Sequence, residues 1–304
     1  MSIVVEPAPA KINLTLSVIG RRSDGYHQLQ SLIAFAMDAA DRLTLDTDGP
    51  AGFTVTGPTA AAIVGENLVQ VALERLAAMT PRLRLGQVVL EKHLPVAAGI
   101  GGGSSDAAAL LRAVRAVNPE LAAQLDWDGL ALELGADVPV CLGLTSAWVE
   151  GIGEQITPVD VPPLPAVLAT PASAGSPDKT RRVFSALAAS GWEPRAAAPG
   201  ADNRPSIGGR DALIRLIEQT GNDLAQPAFA VLPAALQAMT AVSGLPGCIV
   251  ARLSGAGPTV FGIFGDEVAA KQAAARLAHQ HPSWWVRDVT IGGQGRWSGE
   301  RSAL

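Results

Sequence analysis

Four glycines fall within the five positions Gly99-Ile100-Gly101-Gly102-Gly103, which run into Ser104-Ser105-Asp106 and an alanine-rich stretch. Glycine admits positive φ and leaves no Cβ between the backbone and a ligand. A helix starting just after such a run adds unpaired N–H groups and the positive end of its dipole. With the leading Pro95, Val96, Ala97 and Ala98, the segment from Pro95 to Ser105 predicts a cradle for an anion, most often a phosphate. The plainer reading is a strand-to-helix turn with Ser104 or Ser105 as N-cap, but a turn needs one or two glycines rather than four. The hydroxyls of Ser104 and Ser105 could reach phosphate or magnesium. Asp106 either favours the helix dipole or contacts a hydrated metal, and the sequence allows both.

Three better-known patterns fail here. A Walker A loop needs a lysine after its last glycine, and Ser104 stands there instead. A GxGxxG fingerprint matches Gly99 and Gly101 but meets Ser104 in third place. A GxSxG elbow around Ser104 ends in Asp106. Two further charged residues are singled out by their local sequence. Asp137, in Gly135-Ala136-Asp137-Val138-Pro139, is a cap or turn residue or else a catalytic carboxylate. Lys11, in Pro9-Ala10-Lys11-Ile12-Asn13-Leu14, lies in a strand pattern where a lysine ordinarily points to water.

The elements that must position these groups follow from hydrophobic periodicity. Residues 3–56 alternate like strands, with a polar loop from Gly20 to Gly25, and residues 67–76 have helical spacing. A strand at 86–91 leads into the glycine run and a helix over roughly 104–117, which Asn118-Pro119 stops. A helix over 126–134 and strands around 138–143 and 146–150 complete a first part. Pro158, Pro162, Pro163, Pro165 and Pro171 mark a crossover, so the chain divides into domains at 1–160 and 161–304. The second part reads as strands near 165–170, 248–253 and 259–264, with helices near 178–189, 210–218, 229–241 and 266–279. Residues 191–209 read as a mobile surface loop. Strands mixed with helices, without strict alternation, give the α+β class.

Composition narrows the function. The chain has 304 residues, 48% of them hydrophobic and 17% charged, with a net charge of −5 and no basic run. That fits a soluble globular protein and argues against a nucleic-acid partner. The uncharged stretch from Leu224 to Ala251 is long enough for a membrane span, but Pro227, Pro233 and Pro246 interrupt it. It reads as helix, turn and strand, and with no signal peptide evident the expected location is cytoplasmic. Cys141 and Cys248 have no metal or redox spacing and read as small buried residues.

The run Pro95-x3-Gly99-Ile100-Gly101-Gly102-Gly103-Ser104-Ser105-Asp106 resembles the ATP loop of the galactokinase, homoserine kinase, mevalonate kinase and phosphomevalonate kinase (GHMP) superfamily. The resemblance extends through Pro9-Ala10-Lys11-Ile12-Asn13-Leu14, Asp24-Gly25-Tyr26-His27-Gln28-Leu29, Glu150-Gly151-Ile152-Gly153-Glu154, Asn222-Asp223-Leu224 and Ser254-Gly255-Ala256-Gly257-Pro258. These segments resemble the branch that phosphorylates a cytidine diphosphate derivative of methylerythritol in the non-mevalonate isoprenoid pathway. The resemblance implies a two-domain fold, with a ribosomal S5 domain 2-like amino-terminal domain and a ferredoxin-like carboxy-terminal one. It implies ATP with Mg²⁺, Asp137 as general base and Lys11 as charge stabiliser. It implies a cytosine pocket of Tyr26, His27 and Phe184, with Thr180 nearby, Asn13 on the polyol or ribose, and Gly255 and Gly257 against the substrate. Asn67 and Lys92 are implied on the adenine side, with a solvated Lys92 as the other reading. Lys179 stands where the pattern usually has serine, which weakens the assignment of Thr180. Metal ligands and oligomeric state are left open. A kinase for homoserine or a mevalonate derivative is the nearest rival, and a silent metabolite-binding protein on the same scaffold is the other.

Overall fold

The computed structural model describes residues 3–21, 27–172, 178–193 and 207–293. Tyr26 and most of the expected surface loop over 191–209 lie outside them. Two long strands, β1 (Ile3–Arg21) and β2 (His27–Asp46), pair antiparallel along nearly their whole length. They are followed by β3 (Gly52–Thr56), α1 (Leu68–Met79), β4 (Gln87–Glu91), α2 (Gly102–Val117), α3 (Pro119–Ala122) and α4 (Trp127–Leu134). Next come α5 (Val138–Gly143), β5 (Ala147–Gly151), β6 (Gln155–Pro158) and, after the proline-rich connection, β7 (Leu164–Thr170). Helices α6 (Lys179–Ala189), α7 (Arg210–Thr220), α8 (Ala225–Val231) and α9 (Pro233–Ser243) precede β8 (Cys248–Leu253), β9 (Val260–Phe264), α10 (Glu267–Gln280) and β10 (Trp285–Ile291).

The ten strands among the described residues belong to one sheet, in the order β3-β4-β2-β10-β7-β9-β8, with β1 on β2 and β5 joining β2 to β6. β10 joins the ladder of β2 through one residue pair, Ile291 opposite Ala36, and an isolated bridge pairs Leu16 with Asn222. Buried side chains fill both sides of that seam: Ile12, Leu14 and Leu32 from the first part pack with Leu164, Leu168 and Phe261 from the second. A second cluster buries α2, through Leu110, Leu111 and Val114, on Leu43, Leu45 and Leu90.

Two expectations need correction here. Residues 138–143 form α5, not a strand. Pro139 has no N–H for a ladder but suits the first turn of a helix, and so short an apolar run carries no period of its own. The expected helix over 229–241 is two helices, because Pro233 opens a new one with Leu232 as its N-cap. The sequence reading also passed over β10, although the aromatic and β-branched run from Trp285 to Ile291 suits a strand. The stretch tested as a membrane span folds as α8, α9 and β8, and among the described residues no helix is long and apolar enough to cross a membrane.

Candidate active site

The glycine loop is shaped by positive φ at Ala97 (54°), Gly99 (80°) and Gly101 (65°). A Cβ on Gly99 would stand 2.4 Å from the Gly257 carbonyl oxygen, and one on Gly101 2.9 Å from Lys11 Cε. Both positions therefore require glycine. The first α-helical bond of α2 runs from Ser105 N–H to Gly101 O at 2.8 Å. The amides of Gly102, Gly103 and Ser104 precede it and have no partner within the helix, which is the arrangement that receives an anion. The helix starts two residues earlier than expected, so Ser104 and Ser105 sit in its first turn and do not cap it.

The two serines differ. Ser104 lines a cavity of about 870 Å³. Ser105 is fully buried and donates its hydroxyl hydrogen to Pro9 O at 2.7 Å, pinning α2 to β1. That corrects the expectation that both hydroxyls face an anion.

Asp137 precedes α5 at its N-cap position but makes no capping bond with its side chain. Its carboxylate points to Lys11, with Nζ 3.0 Å from Oδ2. Lys11 is buried on β1, against the outward direction ordinary for a strand lysine, and Asp137 remains 45% exposed. Lys11 also donates to Asn13 Oδ1 at 3.0 Å, while Asn13 Nδ2 donates to Ser31 Oγ at 2.8 Å. Asn13 thus lines the cavity but spends both ends of its amide inside the protein. The ammonium is aimed by β1 and its neighbour, and the carboxylate opens onto the cavity.

The far wall of that cavity carries His27, Thr180, Arg181 and Phe184. His27 and Phe184 stack with ring centroids 4.6 Å apart. Burial and then the Arg21 charge lower the His27 pKa, so the ring is neutral at neutral pH and able both to donate and to accept. Gly255 and Gly257 lie behind the glycine loop: a Cβ on Gly255 would meet Gly99 O at 3.2 Å. Gly153, in the loop after β5, approaches Ala136 so closely that a Cβ would meet its carbonyl oxygen at 2.3 Å.

Lys92 is neither solvated nor free for a base. It is buried with Asp41 and Asp106, donating to Asp41 Oδ2 and to Asp106 Oδ2, the latter at 2.6 Å. Burial opposes its charge, but the two carboxylates outweigh burial and raise its pKa. Burial pushes the Asp106 carboxyl well above the usual carboxylate range, with Lys92 opposing and Asp41 adding to the shift. Asp106 therefore serves this internal cluster. Asp41, which also accepts from Leu94 N at 2.8 Å, gave no signal in the sequence, since it lies 51 residues from Lys92. Asn67 caps α1, accepting from Val69 N at 2.9 Å.

The chain resembles known proteins over most of its length. Residues 67–146 match the GHMP kinases N terminal domain and residues 204–283 the GHMP kinases C terminal domain. A 4-diphosphocytidyl-2-C-methyl-D-erythritol kinase of Methylobacterium radiotolerans is 48% identical over 94% of this chain and 98% of its own. A crystal structure of a 4-(cytidine 5'-diphospho)-2C-methyl-D-erythritol kinase superposes with a TM-score of 0.72 at 33% identity, covering 95% of this chain and 99% of the other. Homoserine kinase from Cytophaga hutchinsonii shares the fold, with a TM-score of 0.67 at 17% identity over 97% and 96% of the two chains. The architecture is the two-domain GHMP kinase fold. The chain belongs to the 4-diphosphocytidyl-2-C-methyl-D-erythritol kinase family.

Proposed function

We propose that the protein transfers the γ-phosphoryl group of ATP to the tertiary 2-hydroxyl of 4-diphosphocytidyl-2-C-methyl-D-erythritol, giving the 2-phosphate and ADP. The observation that carries this reading is the Lys11–Asp137 pair at 3.0 Å, on a cavity that also holds Ser104 of the glycine loop and the His27–Phe184 wall. Asp137 takes the proton of the hydroxyl. The adjacent ammonium offsets charge on the transferring group. The free amides of Gly102, Gly103 and Ser104 receive ATP phosphate oxygens. Asn67 keeps its Nδ2 for the adenine side, whereas Lys92 is withdrawn from that role by its two carboxylates. Residues 1–160 supply the ATP loop and the reacting pair; residues 161–304 supply Thr180 and Phe184.

Mg²⁺ binds mostly through phosphate oxygens and one or two carboxylates. Among the described residues no three His, Cys, Asp or Glu side chains cluster as a metal cage. The metal would enter as the companion of ATP, whose charge it neutralises. Cytosine recognition falls to Tyr26, His27 and Phe184. A base cannot enter between His27 and Phe184 at 4.6 Å, since it needs roughly twice the 3.5–4.0 Å contact distance, so it stacks on the free face of the pair.

ADP release with ATP and magnesium tests this reading, using the cytidine compound beside homoserine, mevalonate and CDP-choline. Turnover with the cytidine compound alone is the expected result. Activity on homoserine or mevalonate instead would keep the Lys11–Asp137 chemistry and remove the cytosine pocket.

A further inference from the structure

Four successive carbonyls of the glycine loop are each held from outside it. Ala97 O accepts from Lys179 Nζ at 2.8 Å, and Ala98 O from Thr259 Oγ1 at 2.7 Å. Gly99 O accepts from Ser254 Oγ at 3.1 Å, and Ile100 O from Lys11 N at 2.9 Å. Drawing these oxygens into the protein fixes the orientation of the peptide planes that a phosphate must meet. Three of the tethers are neutral groups of neighbouring strands and loops. The fourth is an ammonium.

Lys179 is 4% exposed, and its Nζ also donates to Gly257 O in the loop between β8 and β9. Among the described residues it makes no ion pair. A buried cation satisfied only by carbonyls is costly. Burial, then the charge of Lys11, push its pKa down to about 8. Lys179 also begins α6, one residue before Thr180 and on the helix that carries Phe184. One side chain therefore joins the wall of the substrate cavity to both glycine-containing loops.

We propose that Lys179 is a positioning residue that holds the glycine loop in its phosphate-receiving shape and ties that shape to α6. The proposal rests on the reading of the glycine loop as an ATP site. It assigns the lysine that departs from the familiar Ser-Thr pattern a task of its own, separate from Lys11. No substrate atom need touch it. Removing it should loosen the seat for ATP while leaving the Lys11–Asp137 pair in place.

Steady-state kinetics of Lys179→Met test this. The KM for ATP should rise at least tenfold, with kcat and the KM for the cytidine substrate within threefold of the wild type. A general loss of structure would lower kcat or move both KM values together, and either pattern overturns the proposal. Should Lys179→Met be too unstable to assay, Lys179→Gln, which keeps amide donors without the charge, is read by the same split. Wild-type protein without ATP-dependent turnover overturns the functional reading and this proposal with it. An active wild type and a variant with unchanged KM for ATP overturn this proposal alone.

Discussion

Two lysine–aspartate clusters sit under adjacent glycines of one loop. A Cβ on Gly101 would stand 2.9 Å from Lys11 Cε, and one on Gly102 3.6 Å from Lys92 Nζ. Both ammoniums are buried to the same degree. Their partners differ. Asp137 is 45% exposed and faces a cavity, whereas Asp41 and Asp106 are sealed at 0% and 4%. An open carboxylate can meet a hydroxyl group and exchange a proton; a sealed one can only balance charge. Residue type and distance therefore do not separate chemistry from scaffolding here. Access does.

Substitution should split the two clusters. The largest effect expected is on stability: Lys92→Met leaves two buried carboxylates without their cation, which costs about 3–5 kcal/mol. Thermal unfolding should fall by about 10 °C. A midpoint within 2 °C of the wild type would mean that water already reaches the cluster.

Lys11→Met should do the reverse. Asp137 can turn to solvent, so the melting temperature should change little. Turnover should drop by about 10² to 10³, the usual loss when a group stabilising developing charge is removed. Full activity in this variant would erase the contrast. Phe184→Ala sharpens it further at the distal wall. Loss of a stacking face costs about 1–3 kcal/mol per base, so the KM for the cytidine substrate should rise by about tenfold or more while the KM for ATP stays the same. Equal shifts in both would place Phe184 in the scaffold.

The glycine loop was legible in the sequence because its backbone demand is local: positive φ and absent Cβ atoms act within a few residues. The Lys11–Asp137 pair was not legible from spacing. Its members come from a strand and a short helix that only the sheet and α2 bring together, and family resemblance alone linked them. Lys92 was misplaced for a related reason. Its first partner, Asp41, enters from the far end of β2, and pairing across β2 and β4 has no trace in local composition. Residues 138–143 were misread because a short apolar run is silent about its period, leaving Pro139 as the one clue. Lys179 stood out only as a departure from a pattern. Its bonds to Ala97 and Gly257 needed three segments folded together.

The central claim is that Asp137 takes the proton during phosphoryl transfer. A single-turnover measurement on Asp137→Asn, with ATP and the cytidine substrate both bound, tests it most directly. The asparagine keeps the shape and loses the base, so the transfer rate should fall by about 10² to 10⁴ while affinity for a non-hydrolysable ATP analogue stays within threefold. A transfer rate equal to that of the wild type would remove Asp137 from the reaction and leave the pair with Lys11 a structural one.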